Sequence, residues 1–209
     1  MFTFKFRSML LLALVSLAGT ISAVAQRAVH HGYITYYNAY KKAPDSVVYD
    51  LYPSMLNCEK TRRKDAFAPD PKIPDCVGPS AYKRSNYSKG HLFSYESAKC
   101  DPADRVECFY MSNMLPQSQS MNAGDWKKLE MMERTWASEH RLHILAGGIG
   151  SIGRTPGGVN IPEQCWKALF YNNQWHCYLI RNSSWSVGHD IGDLQISRDQ
   201  LNRLTGLHL

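Results

Sequence analysis

Apolar positions recur along the chain with two different periods, and each change of period marks an element. Between 45 and 52 the run DSVVYDLY concentrates the β-branched and aromatic residues of a strand. Residues 57–80 carry many charges together with Pro69, Pro71, Pro74 and Pro79, which predicts an irregular surface loop. Short strands are expected from Lys89 to Ser94 and from Glu107 to Met111, with Asp101-Pro102 as a turn signal in the cysteine-flanked segment between them. The period then becomes helical. Trp126, Leu129, Met132 and Trp136 form one apolar stripe, which predicts a helix over 123–139. Asn122 stands where its N-cap belongs, with Asp125 three residues on. Alternation returns at 141–146, RLHILA, and again at 165–171 and 175–181, where Asn172-Asn173 suits a hairpin turn. Ser197 is placed to cap a last helix near 198–204, with Gly206 behind it. The mixture predicts an α+β fold: a central, largely antiparallel sheet flanked by helices.

Residues 1–25 fall outside this scheme. Lys5 and Arg7 precede an apolar run, MLLLALVSLAG, which closes on Ala23-Val24-Ala25 before Gln26. A basic start, a short apolar stretch and a small-x-small site predict a secretory signal peptide, since the run is shorter than the ~20 residues that span a bilayer. Residues 26–209 are then expected to form one domain. Removing 25 of the 209 residues leaves 184, and losing Lys5 and Arg7 lowers the formal charge from +6 to +4. A basic, exported domain suits a polyanionic partner, although charge alone does not select nucleic acid. The six cysteines, Cys58, Cys76, Cys100, Cys108, Cys165 and Cys177, show no C-x-x-C spacing. Behind a leader they predict three disulfides, and pairing of chain neighbours (58–76, 100–108, 165–177) brackets plausible loops among the many pairings open.

Chemistry-bearing residues gather between 87 and 134. His91 follows Gly90, and imidazole titrates near neutrality as a general base should. Asn113 and Asn122 offer neutral oxygen donors, a hard ligand type that suits Mg²⁺. Glu130 and Arg134 stand i, i+4 on the expected helix. Each has a bland reading: a structural histidine, a turn residue or N-cap, and a surface ion pair worth ~0.3–0.5 kcal/mol.

Their order and spacing carry more than any one of them. Gly90-His91-Leu92, Asn113-Met114-Leu115-Pro116-Gln117, Asn122, Trp126, Leu129-Glu130 and Arg134 together resemble the DNA/RNA non-specific endonuclease family. Flanking segments extend the likeness over most of the chain: VVYDLY at 47–52, Arg62-Arg63 with Phe67 and Asp70-Pro71, Ile161-Pro162 with Trp166-Lys167, and Leu204-Thr205-Gly206-Leu207. One departure stands out. The family usually has Asp-Arg-Gly-His where this chain has Ser88-Lys89-Gly90-His91. Ser88 brings no negative charge, and Lys89 lacks the bidentate fork of an arginine.

The resemblance implies a ββα-metal core and Mg²⁺-dependent hydrolysis of both DNA and RNA, with Mn²⁺ and other divalent ions as alternatives. It makes His91 the general base and Asn122 the direct metal ligand. Glu130 and Ser88 are implied to act on the metal through water, and Asn113 to position His91 or the metal shell. Lys89, Arg134 and one of Arg62 or Arg63 are implied to contact phosphate. It also implies no membrane attachment after cleavage, a periplasmic or secreted location, and a homodimer as one assembly the family allows. The alternative is a nuclease-fold protein that binds nucleic acid without turning it over, a reading that Ser88 motivates.

Overall fold

The computed structural model describes residues 25–59 and 62–209. Residues 1–24 of the expected leader therefore lie outside the described residues. Elements follow in chain order: β1 (Gln26–Val29), β2 (Ile34–Asn38), β3 (Ala43–Leu51), β4 (Tyr87–His91), α1 (Tyr95–Ala98), α2 (Pro102–Glu107), β5 (Met114–Ser118), α3 (Gln119–Ala123) and α4 (Asp125–Ala137). They continue with β6 (Leu142–Ile149), the short pair β7 (Gly153–Arg154) and β8 (Asn160–Ile161), β9 (Gln164–Tyr171), β10 (Gln174–Arg181), β11 (Gln195–Ile196) and α5 (Arg198–Thr205). Seven strands form one antiparallel sheet in the order β1-β2-β3-β6-β9-β10-β11, and β4 pairs separately with β5.

The period-2 pattern sorts side chains between the two faces of this sheet. Val47, Tyr49, Ile144, Ala146, Cys165, Leu169 and Ile180 enter a core shared with the β4–β5 pair and α4. Trp166, Ala168 and Cys177 enter a smaller core that Leu201 of α5 closes from the other side. At the β9–β10 turn, Asn172 and Asn173 both take positive φ (49° and 59°), the conformation a two-residue hairpin loop needs. Ser197 accepts from the Gln200 N–H, and Gly206 ends α5 in the left-handed region at φ 74°.

Three local expectations are corrected. The segment Glu107 to Met111 is not a strand: Asp101 caps α2 by accepting from the Ala103 and Asp104 N–H groups, Pro102 takes the first helical position, Tyr110 makes a single bridge to Ala68, and the ladder with β4 begins at Met114. The first strand ends at His91, because Ser94 caps α1. Asn122 is not the cap of the long helix but lies in the last turn of α3, and Gly124 starts α4 without a side-chain cap.

The expected cysteine pairing is also overturned. Cys58 bonds to Cys100, while Cys76, Cys108, Cys165 and Cys177 are free thiols. Cys100 and Cys108 stand at opposite ends of α2, whose six residues span ~9 Å, beyond the reach of a disulfide. Cys165 and Cys177 lie on opposite faces of the sheet, each in its own core, so their side chains never meet.

Candidate active site

The ββα unit made by β4, β5 and α4 brings most of the motif residues together. β4 and β5 run antiparallel, with Ser88 opposite Gln117, Gly90 opposite Leu115 and His91 opposite Met114. The apolar stripe of α4 packs beneath, Trp126 and Leu129 being fully buried. The Trp126 indole N–H donates to the His91 carbonyl at 3.0 Å, which ties the helix to the last residue of the strand. Truncating Trp126 would empty a buried volume, at ~3–5 kcal/mol, and leave that carbonyl unpaired.

Gly90 makes a close approach possible. A Cβ there would lie 2.1 Å from Oε1 of Gln117, whose side chain is buried and donates to the Cys165 sulfur at 3.7 Å. Only glycine lets β4 pass over that amide.

His91 sits against an aromatic wall, 5.2 Å from the Phe109 ring in an edge-on arrangement and 5.7 Å from Phe67. Its Nε2 is buried and has no hydrogen-bond partner among the described residues. Burial pushes the ring pKa down to about 3, with the charges of Arg63 and Lys89 acting in the same direction and Asp65 opposing. The imidazole is therefore neutral, with a ring nitrogen still unused. The two cations that depress it are held nearby. Lys89 Nζ lies 4.6 Å above the Phe67 ring, and the Arg63 guanidinium lies 5.6 Å from the Phe109 ring and bonds Asp65 at 2.6 Å. Arg62 is exposed and makes no such contact among the described residues, so of the two arginines it is Arg63 that reaches the wall around His91.

Asn113 has a different place from the other candidates. It is fully buried, donates to the Phe93 and Cys108 carbonyls at 2.8 Å each, and accepts from the Phe93 N–H at 2.8 Å. Its donors are used up on backbone, so it braces the turn behind His91 and touches no reacting group. Asn122 is half-buried, and its amide, like the Ser88 hydroxyl, has no hydrogen-bond partner among the described residues. Arg134 does not pair with Glu130; it donates to the Ser94 hydroxyl at 3.3 Å.

Glu130 is half-buried on α4, and burial raises its pKa to about 7. Nearby Glu133 adds to the rise, while Lys167, Arg134 and the Trp126 indole oppose it. A carboxylate lifted this way, with no ion pair among the described residues, is a group that a cation would stabilise. The donor set is hard: the Asn122 amide oxygen, the Glu130 carboxylate and the Ser88 hydroxyl. It fits a divalent ion that keeps most of its water.

Sequence reasoning missed the network under this site. Lys167 of β9 bonds Glu133 of α4 at 2.5 Å, and both side chains are fully buried. The Tyr49 hydroxyl donates to Glu133 at 3.2 Å, and Lys167 Nζ also lies 4.8 Å over the Trp126 ring. The signal was present: Glu133 continues the stripe of Trp126 and Leu129, and Lys167 alternates with buried Cys165 and Leu169. Two opposite charges at inward-facing positions imply each other.

A 480 Å³ cavity beside His31 and Asp104 is lined by Tyr49 of that network but by none of His91, Asn122 and Glu130.

A ββα unit that carries a neutral histidine on its strand and a half-buried carboxylate on its helix has the fold of a ββα-metal nuclease core. Comparison with known proteins agrees: residues 17–209 match the model of the DNA/RNA non-specific endonuclease family, and the chain belongs to that family. It is 33% identical over 146 residues to a nuclease of Nostoc sp., a match covering 68% of this chain and 53% of that protein. The mitochondrial nuclease EXOG of Danio rerio is 30% identical over 206 residues, covering 88% and 60%. A nuclease of Serratia marcescens is 25% identical over 197 residues, covering 86% and 73%. The chain thus spans just over half the length of the first two. An EndoG chain from its complex with EndoGI superposes with a TM-score of 0.79 at 20% identity, covering 89% of this chain and 86% of that one, a likeness of fold.

Proposed function

We propose that this chain is an exported, Mg²⁺-dependent nuclease that hydrolyses phosphodiester bonds of both DNA and RNA, with His91 as general base. The observation that carries the reading is a neutral His91, held by its backbone on α4, whose ring nitrogens have no hydrogen-bond partner among the described residues; Nε2 is closed off by burial and Nδ1 is not. A water positioned beside Nδ1 loses its proton to it while attacking phosphorus, and the bond from phosphorus to the 3′ oxygen breaks on the opposite side. The leaving oxygen takes a proton from solvent, giving a 5′-phosphate and a 3′-hydroxyl. Arg63 and Lys89 hold the phosphate, whose negative charge opposes theirs and makes the imidazole a better base than in the free protein. Arg134 contacts a phosphate further along the strand.

Asn122 would hold the Mg²⁺ directly, and Glu130 and Ser88 through water; when bound, the ion stabilises the charge that develops on the phosphate and the departing oxygen. Mn²⁺ suits the same oxygen donors. Asn113 is a positioning residue, acting through the backbone behind His91.

Contacts to backbone rather than bases support the lack of sequence and sugar preference. Export, to a periplasm or beyond the cell, is supported by the leader pattern of residues 1–25 and by the Cys58–Cys100 disulfide, which suits an oxidising compartment. No helix among the described residues is long and apolar enough to cross a membrane. The test uses oxidised protein with supercoiled plasmid and with single-stranded RNA, each with Mg²⁺ or chelator. Mg²⁺-dependent loss of both substrates is expected. Salt-sensitive binding without cleavage would favour the binder reading and make Ser88→Asp the first variant to try.

A further inference from the structure

Next to the ββα unit lies a groove of 640 Å³ that the reading above does not use. Its walls come from three segments: Ser85–Tyr87 at the start of β4, Ser118–Ser120 at the end of β5, and Asn182–Ser184 after β10. The lining side chains are hydroxyls and amides, without a carboxylate. Lys83 and Arg84, both exposed, stand on the turn that leads into it. Neutral donors flanked by cations are the groups that hold sugar and phosphate.

At the rim stands Trp185, the residue after Ser184, 84% exposed. An exposed indole on a loose loop would mean little, since single apolar residues are common on surfaces. This loop is clamped on both sides of it. Before it, buried Asn182 donates to the Pro116 and Pro162 carbonyls at 2.8 and 2.9 Å and accepts from the Ser118 N–H at 2.7 Å. The Ser118 hydroxyl also donates to the Ser183 carbonyl at 2.6 Å. After it, buried Ser186 bonds the Arg181 carbonyl, and His189 bonds Asp125 in the first turn of α4 at 2.6 Å. The Val187 side chain and the Ser186 carbonyl press on Gly124, so that a Cβ there would come within 2.9 Å of Val187. Four polar anchors thus present one large aromatic face to solvent, beside the residues that follow Asn122.

We propose that this groove and Trp185 form a subsite for a single-stranded stretch of nucleic acid, with the side chains not bonded to other described residues, Asn86, Gln119, Ser120 and Ser184, on its sugar–phosphate backbone and an unpaired base stacked on the Trp185 indole. The inference rests on the nuclease reading for its ligand class. Tyr87 and His91 are the two ends of β4, so the groove lies ~13 Å from the catalytic ring. That is about four stacked nucleotides. A duplex has no free base face to offer, whereas an unpaired base does, so the indole favours single strands over duplexes.

Binding is read in chelator, where no turnover occurs, from the fluorescence of oxidised wild-type protein titrated with oligothymidylate and, separately, with a hairpin duplex. Oligothymidylate should quench the emission of wild-type protein, and Trp185→Ala should remove that quench. The same variant should weaken single-strand binding roughly 5- to 100-fold, the size of one lost stack, and duplex binding far less. Trp185→Phe should restore part of the difference. Equal single-strand affinity for wild type and Trp185→Ala would overturn the proposal, as would equal losses on both ligands. So would a dimer in sedimentation that Trp185→Ala makes monomeric with nucleic-acid binding unchanged, since the loop would then be a protein interface. The two readings fail separately: a protein that quenches on oligothymidylate but cleaves nothing with Mg²⁺ contradicts the nuclease reading and leaves this one standing.

Discussion

Removing the carboxylate of Glu133 should be among the most damaging single substitutions in the molecule, although Glu133 touches no substrate in the proposed mechanism. Glu133 and Lys167 are fully buried, 2.5 Å apart, and among the described residues the only other hydrogen-bonding group on the ammonium is the Tyr49 hydroxyl at 3.4 Å. Glu133→Gln keeps the shape but takes from the buried Lys167 charge its ion-pair partner, leaving only the longer-range attraction of Glu130. Breaking a buried pair from one side costs ~3–5 kcal/mol. For a domain of this size each kcal/mol moves the melting point by roughly 2–4 °C, so a fall of about 6–20 °C is expected. Replacing both partners, Glu133→Gln with Lys167→Met, should cost less than the two single changes added together, because no charge is left stranded. Guanidinium unfolding of wild type, both single variants and the double variant completes the cycle. A Glu133→Gln cost below ~1 kcal/mol, or strict additivity, would refute the argument that this pair anchors α4 beneath the site. The same variants should disturb Glu130, since Lys167 opposes and Glu133 reinforces the rise of its pKa.

Three further outcomes follow from the geometry. In the folded state His91 stays neutral down to about pH 3, whereas in the unfolded chain it takes a proton below ~6.5, so stability should fall as pH drops through that window. The loss works out at about 2 kcal/mol between pH 7 and pH 5, and His91→Gln should abolish that part of the pH dependence of denaturant midpoints. Gly90→Ala must displace the buried Gln117 side chain, so it should cost ~1–3 kcal/mol of stability and, by shifting the backbone at His91, up to about 100-fold in kcat. A variant with wild-type kcat would show that β4 has slack there. Reducing Cys58–Cys100, which closes a 42-residue separation, should cost up to about 4 kcal/mol, read from unfolding with and without reductant. Replacing any of the four free cysteines by serine should leave the reductant effect intact.

Much of the sheet was legible because its strands alternate cleanly and its turns carry their own chemistry: Asn172-Asn173 and Ser197 with Gly206 are where their types require. The segment from 94 to 113 was not. Its helices are four and six residues long, too short to show a period, and only the Ser94 and Asp101 caps announce them. The cap assignment of Asn122 failed because α3 and α4 follow one another with a bare glycine between them, so a helical stripe starting at Trp126 gave no warning of the extra turn. Disulfide pairing was beyond local reading, since Cys58 finds its partner across 42 residues. Within the site, spacing marked out His91, Asn122 and Glu130. What it missed was the difference between Asn113, spent on backbone, and Asn122, left free, which depends on packing around the chain behind His91.

The most direct test of the central claim compares oxidised wild-type protein with His91→Ala on supercoiled plasmid in Mg²⁺, with unfolding midpoints of both measured at pH 7. Cleavage that requires Mg²⁺ and disappears in His91→Ala, while the variant stays folded, is the predicted result. A folded His91→Ala protein that cleaves as fast as wild type would contradict the assignment of His91 as the base.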